Sequence, residues 1–375
     1  MLLTTCAACA APLAHDAPRC VRCKTRYCNS TCQHDHWRRG HKQICKKMHR
    51  GGNAEQYHAD KKYKDAAKVA VEACAAEVPA GVRCYICLDD KLGLVRGCGC
   101  SGDEGFPHLD CLVKQAQIMA EKDSVSQITC TWWQDCPLCE QHFDGAVGYA
   151  MGWAFYRAHT YGETTSGRAL KSVALDLLAR LTKRQGRFEE AILIYEAHVD
   201  AARVVSDETR DLSLDSIACH PRAGRLIVAA QHNISACYHA LGRAEDAISL
   251  KVKCYTWTAT LHRPAHDSSL KYASDAAATM LKYNRSLQCV SFSRAPIEAL
   301  SANPECHWGL HLRMLAADAE SHLPNYDAAK GVALFEVIIR DAQRALVEER
   351  LIELYQQGSV VARERLEQQR PQAGK

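Results

Sequence analysis

Cys6 and Cys9 open a series of Cys and His pairs that runs to Cys139, and each pair has the spacing of a zinc chelate. The first array reads Cys6-x2-Cys9, Cys20-x2-Cys23, Cys28-x3-Cys32 and His41-x3-Cys45. The second reads Cys84-x2-Cys87, Cys98-x-Cys100, His108-x2-Cys111 and Cys136-x2-Cys139. A C-x2-C pair fits a tight turn from which two sulfurs reach one ion at about 2.3 Å. A pair with three intervening residues places both donors on one face of a helix. Each array therefore has donors for two tetrahedral zinc ions, four ions in all. Fully liganded ions keep no open position for water, which implies structural centres and not a zinc hydrolase. The N-terminus lacks a basic segment followed by a long apolar run, so no secretory leader is expected. An intracellular chain, cytoplasmic or nuclear, keeps its thiols reduced, and metal binding then accounts for those of its 21 cysteines that have ligand spacing.

The elements that must hold these donors are short. Ser30 is read as the N-cap of a helix through Gln33 and Trp37, and Lys42 to Lys47 as a second helix carrying Cys45. The stretch Tyr27-Cys28-Asn29-Ser30-Thr31-Cys32-Gln33, followed by Trp37, His41, Lys42 and Cys45, resembles the MYND zinc finger. That resemblance implies an interleaved pairing. Cys6, Cys9, Cys28 and Cys32 would hold one zinc, and Cys20, Cys23, His41 and Cys45 the other. It also implies docking of short peptides, often proline-containing. His15, His34, His36 and His49 lack ligand spacing and read as ordinary surface or supporting residues. Residues 1–50 carry ten Lys/Arg against Asp16 and Asp35. Zinc on four thiolates has a formal charge of about −2, so much of this basic excess offsets the metal centres. Nucleic acid is not the expected partner.

Glu55 to Glu77, rich in Ala, Lys and Val, reads as a connecting helix that Pro79-Ala80-Gly81 stops. Beyond it, the Cys98-Gly99-Cys100 pair and the seven residues between Cys100 and His108 resemble the RING-variant (RING-CH) finger. A PHD finger has a wider second pair and an earlier histidine. The resemblance implies one zinc on Cys84, Cys87, His108 and Cys111, and another on Cys98, Cys100, Cys136 and Cys139. It further implies a ubiquitin-conjugating enzyme as partner. The contact would be made by Ile86 inside the first pair, by Trp132 or Trp133, and by Pro137 in the last pair. Such fingers position a thioester-linked ubiquitin and break no bond themselves. Active members often carry a basic residue just after the last ligand. Here that residue is Glu140, a departure that bears on activity. Cys130 is a spare thiol, expected to be a small buried apolar residue.

From Gly148 onward Ala, Leu, Glu and Arg dominate, and Ala169, Val173, Leu177, Leu178 and Leu181 mark one helix face. Gly186-Arg187-Phe188-Glu189-Glu190-Ala191 and Leu241-Gly242-Arg243-Ala244-Glu245-Asp246-Ala247 punctuate the pattern alike, and a weaker copy centres on Tyr326 and Ala329. This resembles tetratricopeptide repeats, whose unit is ~34 residues. Cys237, Cys254 and Cys289 read as buried apolar positions. Cys219-His220 and Cys306-His307 lack companion pairs and are not read as metal sites.

The expected fold is mostly α: two small cross-braced zinc modules followed by an α-solenoid, TPR-like body. The expected division is a MYND-type finger at 1–50, a connecting helix at 51–82, a RING-variant finger at 83–146, helical repeats at 147–360 and a polar tail at 361–375. At 47% apolar and 24% charged, the composition is that of a globular chain, and no apolar run reaches the ~18 residues of a membrane span. The functional expectation is a RING-type ubiquitin-protein ligase whose MYND finger and repeats bind client proteins or short peptides. The alternatives are a non-catalytic interaction scaffold and a PHD-like chromatin reader. Nothing in the helix-rich remainder matches the strands and cofactor site of a SET methyltransferase.

Overall fold

The computed structural model describes residues 5–11, 13, 17–102, 105–122, 131–160, 165–205, 221–302, 306–324, 326–344 and 349–369. Cys130, His15 and the Cys219-His220 pair lie outside them. The described residues are mostly helical, and their β structure is limited to isolated bridges, Arg19 with Arg26, Leu94 with His108 and Asp135 with His142. No helix among them is long and apolar enough to cross a membrane. The chain divides into two compact units, 1–210 and 211–375.

The first unit begins with helices α1 (Ser30–His36) and α2 (Lys42–Arg50), joined by a kinked turn at Gly40. Asn29, not Ser30, caps α1: its side chain accepts from the backbone N–H of Cys32 at 2.9 Å. Asn outranks or equals Ser as a cap, and with Asn29 in that role Ser30 becomes the first helical residue. Helix α3 (Ala54–Cys74) is capped the same way by Asn53, which accepts from Gln56 N at 2.9 Å. Its buried face, Ala59, Tyr63, Ala66, Ala70 and Cys74, recurs at three and four residues. That face packs on α6 (Gly145–Ala158), reached after α4 (Leu109–Lys122) and α5 (Thr131–Gln134). Val147 through Tyr156 of α6 are all buried, so this helix is apolar all round and forms the centre of the unit. The helices α7 (Thr165–Arg184) and α8 (Phe188–Val205) complete it. Gly152 lets α7 close on α6, since a Cβ there would sit 3.0 Å from Leu181.

Polar contacts tie the first finger's exit to this centre. Glu55 pairs with Lys171 at 2.6 Å and accepts a hydrogen bond from the buried Tyr156 hydroxyl. Tyr63 donates to Asp110 at 2.7 Å, and the Arg157 guanidinium lies 4.0 Å over its ring.

The second unit is a run of antiparallel helices: α9 (Pro221–Ala240), α10 (Ala244–His262), α11 (Asp267–Lys282), α12 (Ser286–Glu298), α13 (His307–Ser321), α14 (Ala328–Arg344) and α15 (Glu349–Gln369). Its core gathers Leu270, Ala273, Met280, Leu310, Phe335, Ile338 and Tyr355. Cys237, Cys254 and Cys289 are buried in this unit, and burial pushes the Cys254 thiol up to about 12. Cys306 hydrogen-bonds Asp267 and joins no cluster of metal donors among the described residues.

Three hairpins share one cap. Gly186 and Gly242 sit at φ +73° after α7 and α9, and Asn284 at φ +57° after α11. The following N–H groups, on Arg187, Arg243 and Arg285, reach back to the carbonyls of Thr182, Tyr238 and Met280. This is the Schellman closure of a helix end, with Asn in place of Gly at its third occurrence.

Candidate metal centres

The structure gathers the donors into four groups: Cys6, Cys9, Cys28 and Cys32; Cys20, Cys23, His41 and Cys45; Cys84, Cys87, His108 and Cys111; and Cys98, Cys100, Cys136 and Cys139. In every group the donor atoms lie within 4.8 Å of one another. The pairs alternate along the chain, so each module is cross-braced: its first pair joins its third and its second joins its fourth.

The four C-x2-C turns are built alike. The residue after the second cysteine donates its N–H to the first cysteine's carbonyl: Ala10 to Cys6 (2.9 Å), Lys24 to Cys20 (2.9 Å), Leu88 to Cys84 (2.8 Å) and Glu140 to Cys136 (2.9 Å). All four of those residues have φ between 59° and 62°, the left-handed region, although none is glycine. Holding a side-chain-bearing residue there costs of order 1 kcal/mol at each turn. The turn recurs because it aims two sulfurs at one point.

Zinc fits these donors. A tetrahedron of sulfurs about 2.3 Å from the ion has edges of about 3.8 Å. The Sγ–Sγ separations are 3.5 Å for Cys9 and Cys28, 3.8 Å for Cys20 and Cys45, and 3.7 Å for Cys100 and Cys136. Electrostatics agree. Burial raises the Cys6 thiol, but backbone N–H groups of Cys28, Cys9 and Ala8 outweigh it and bring it down to about 6. The contact with Cys28 pushes Cys32, in the same group, up to about 12. The pattern repeats in the third group, where Cys84 falls to about 7 under backbone N–H donors that outweigh its burial. There Cys111 rises to about 12 through burial and its contact with Cys87. Each of these groups readily forms one thiolate and resists the next, a repulsion that a divalent cation removes.

The two histidines present different nitrogens. His41 faces Cys23 through Nε2 at 3.4 Å. His108 faces Cys87 through Nδ1 at 3.3 Å, and its Nε2 lies 3.0 Å from the Lys91 carbonyl. That carbonyl can accept only from an N–H, which holds Nε2 protonated and leaves Nδ1 free to ligate. His36, without ligand spacing, supports the second group from outside: it stacks on His41 at 4.8 Å and bonds the Tyr27 hydroxyl at 3.0 Å.

The four groups differ in shielding. Cys20, Cys23, His41 and Cys45 are all buried, around a small core with Tyr27, Met48 and Ala54. In the second module Cys84, Leu94 and Phe106 form the core, and Ile86 packs against it half-buried. Pro137 is exposed and Trp132 half-exposed. Trp133, expected as one of two aromatics for an outer surface, is instead a core residue, 1% exposed and stacked on Phe155 of α6 at 5.0 Å. On a one-turn helix, neighbours project about 100° apart, and α6 takes the Trp133 side.

Gly97 docks this module on α6. Its carbonyl accepts from Asp144 N at 2.7 Å, and a Cβ on it would lie 2.4 Å from Val147 Cβ. Gly97→Ala should therefore lower stability by about 1–3 kcal/mol, seen as a lower urea midpoint. An unchanged midpoint would show that the module does not bear on α6 as described.

The chain is thus a modular zinc-binding protein with paired cross-braced centres on a helical body. Residues 6–45 match the MYND finger family and form a MYND zinc finger, a protein-interaction module. No curated protein matches the chain. Among solved structures it is similar to BtubC (BKLC) from P. vanneervenii, over 60% of this chain and 94% of that one, at 13% identity and a TM-score of 0.34.

Proposed function

We propose that the second zinc module is a RING-variant finger that binds a ubiquitin-conjugating enzyme, and that the protein is a ubiquitin-protein ligase whose MYND finger and TPR-like helices bind clients. The domain limits that go with this reading are fingers at 1–50 and 83–146, from the ligand spacing, and repeats at 147–360, from the helix punctuation. The observation that carries it is the apolar surface on the second module's two C-x2-C turns. Leu88, beside the first turn, is 72% exposed, and Leu138, inside the last, is 53% exposed next to Pro137. Leu92 is fully exposed nearby in sequence. Apolar side chains exposed on both turns of one small module make the kind of surface a partner covers. Ile86 and Trp132 would border that surface. On the MYND finger, Val21 is 87% exposed and Trp37 40%, which supports peptide docking there.

Glu140 favours the second reading, a scaffold that binds without promoting transfer. It is exposed at the position where an activating basic side chain would stand. The test is single-turnover discharge of ubiquitin from a panel of charged conjugating enzymes by the zinc-loaded protein. The expected result is acceleration that Ile86→Ala and Leu88→Asp reduce about tenfold or more, with zinc content unchanged, and that Glu140→Arg increases. No acceleration by either the native protein or Glu140→Arg would sink the ligase reading and leave the scaffold.

A further inference from the structure

The second unit carries a cluster of two lysines and a histidine in which neither lysine makes an ion pair among the described residues. His239 of α9, Lys251 of α10 and Lys282 of α11 converge on one another. Lys282 Nζ donates to His239 Nε2 at 2.6 Å, and Lys251 Nζ donates to the Asp275 backbone carbonyl at 3.4 Å. Among the described residues no carboxylate comes within ion-pair distance of either ammonium. The Asp275 carboxylate is turned to His232, 3.5 Å away. Burial pulls the Lys251 ammonium below its ordinary value; Asp275 and Cys254 push it back, and Lys282 adds to the fall. Burial and these same two lysines lower His239, which suits a neutral ring accepting from Lys282. Two ammonium groups held near each other, one of them half-buried and offset only by Asp275 at longer range, favour a further anion.

The cluster continues along the unit. Asp275 and Tyr272 of α11 meet His232 of α9, and Ser274 bonds the Trp308 carbonyl of α13 at 3.1 Å. The Lys271 ammonium lies 5.9 Å from the Trp308 ring. Lysines thus recur on α10 and α11, beside the neutral His239 of α9, and reach the edge of α13. Adjacent helices stand ~10 Å apart, so a single small anion would engage one end only. About six extended residues at ~3.3 Å each would span two such steps. A nucleic acid fits less well, because the neighbouring guanidiniums are already committed: Arg243 to Asp246 at 2.7 Å and Arg285 to Glu245 at 2.6 Å.

We propose that this face, centred on Lys251, Lys282 and His239, binds an acidic segment of a partner protein in extended form, with a carboxylate seated between the two lysines. The site lies wholly in the second unit and stands whether or not the second zinc module promotes ubiquitin transfer.

The probe is a fluorescein-labelled peptide of about six glutamates, titrated with the zinc-loaded full chain and followed by anisotropy. Binding that weakens with salt is expected. Lys282→Glu, at an exposed position, should raise Kd about tenfold or more, and His239→Gln should raise it less. Lys253→Glu, exposed on α10 outside the cluster, should leave it unchanged. Circular dichroism on each variant separates a lost site from a lost fold. The proposal is overturned if a glutamine peptide of equal length binds as well, or if Lys282→Glu and Lys253→Glu behave alike. It is also overturned if a single-stranded oligonucleotide of matched charge binds more tightly and is the ligand that Lys282→Glu releases.

Discussion

Cys23→Ser should reduce the zinc content from four ions per chain to two, because the cross-braced first finger unfolds and releases both of its ions while the second keeps its pair. Cys23 is fully buried, with Thr25 Oγ1 at 3.0 Å and His41 Nε2 at 3.4 Å from its sulfur. Serine offers a hydroxyl that stays protonated where zinc requires a thiolate, so the ion loses a ligand in a site whose four donors are all buried. Structural zinc contributes an apparent 10–16 kcal/mol, roughly, to small modules, and this finger has only the few apolar residues around Tyr27 and Met48 besides. The damage should travel. The Cys23 carbonyl accepts from Ala54 N at 2.7 Å, at the first residue of α3. Hydrogen exchange should therefore rise through residues 17–50 and into the first turn of α3, and stop before Tyr63, which Asp110 and Arg157 hold independently. Cys254→Ser, a buried thiol that belongs to none of the four donor groups, is the control and should keep all four ions. Retention of four ions by Cys23→Ser would remove Cys23 from the ligand set.

Why were the metal centres legible in the sequence while their supports were not? Ligand spacing is a local constraint: a chelate pair must be close in sequence for its turn to form, so Cys84-x2-Cys87 announces itself. Even the interleaving follows once the family pattern is matched. The turn geometry does not announce itself, because Ala10, Lys24, Leu88 and Glu140 have nothing in common by type. Their left-handed backbone is imposed by the pair of metal donors that precedes each of them and overrides the usual preference for glycine. The third Schellman cap escaped for a related reason, since Asn284 satisfies the same φ as Gly186 and Gly242 and breaks the pattern by letter alone. The cationic face of the second unit was invisible for the opposite reason. His239, Lys251 and Lys282 are each an ordinary exposed or half-exposed helix residue, and only the packing of three helices makes them neighbours.

Trp133→Ala should cost about 3–5 kcal/mol, the scale of a large aromatic lost from a packed core. Trp132→Ala should cost about 1 kcal/mol or less. The two residues are adjacent and identical, so composition cannot separate them. The Trp133 ring lies parallel to Phe155 at 5.0 Å, with His159 edge-on at 6.4 Å, and both belong to the end of the central helix α6 and the residue that follows it. Removing it opens a cavity between the second zinc module and the helix that also receives α3 and α7, so urea unfolding of the whole first unit should move. Trp132, half-exposed, has no such cavity to leave. The proposed conjugating-enzyme surface reverses the ranking. Trp132→Ala should slow ubiquitin discharge at unchanged stability, while Trp133→Ala should slow it only as far as the fold is lost, with activity recovering at lower temperature. If Trp132→Ala left discharge untouched, the aromatic contact would have to be withdrawn and the partner surface reduced to Ile86, Leu88, Pro137 and Leu138. If Trp133→Ala left stability untouched, the second module would not be anchored on α6 through this ring. The same two substitutions thus separate what fastens the finger to the body from what the finger offers to a partner.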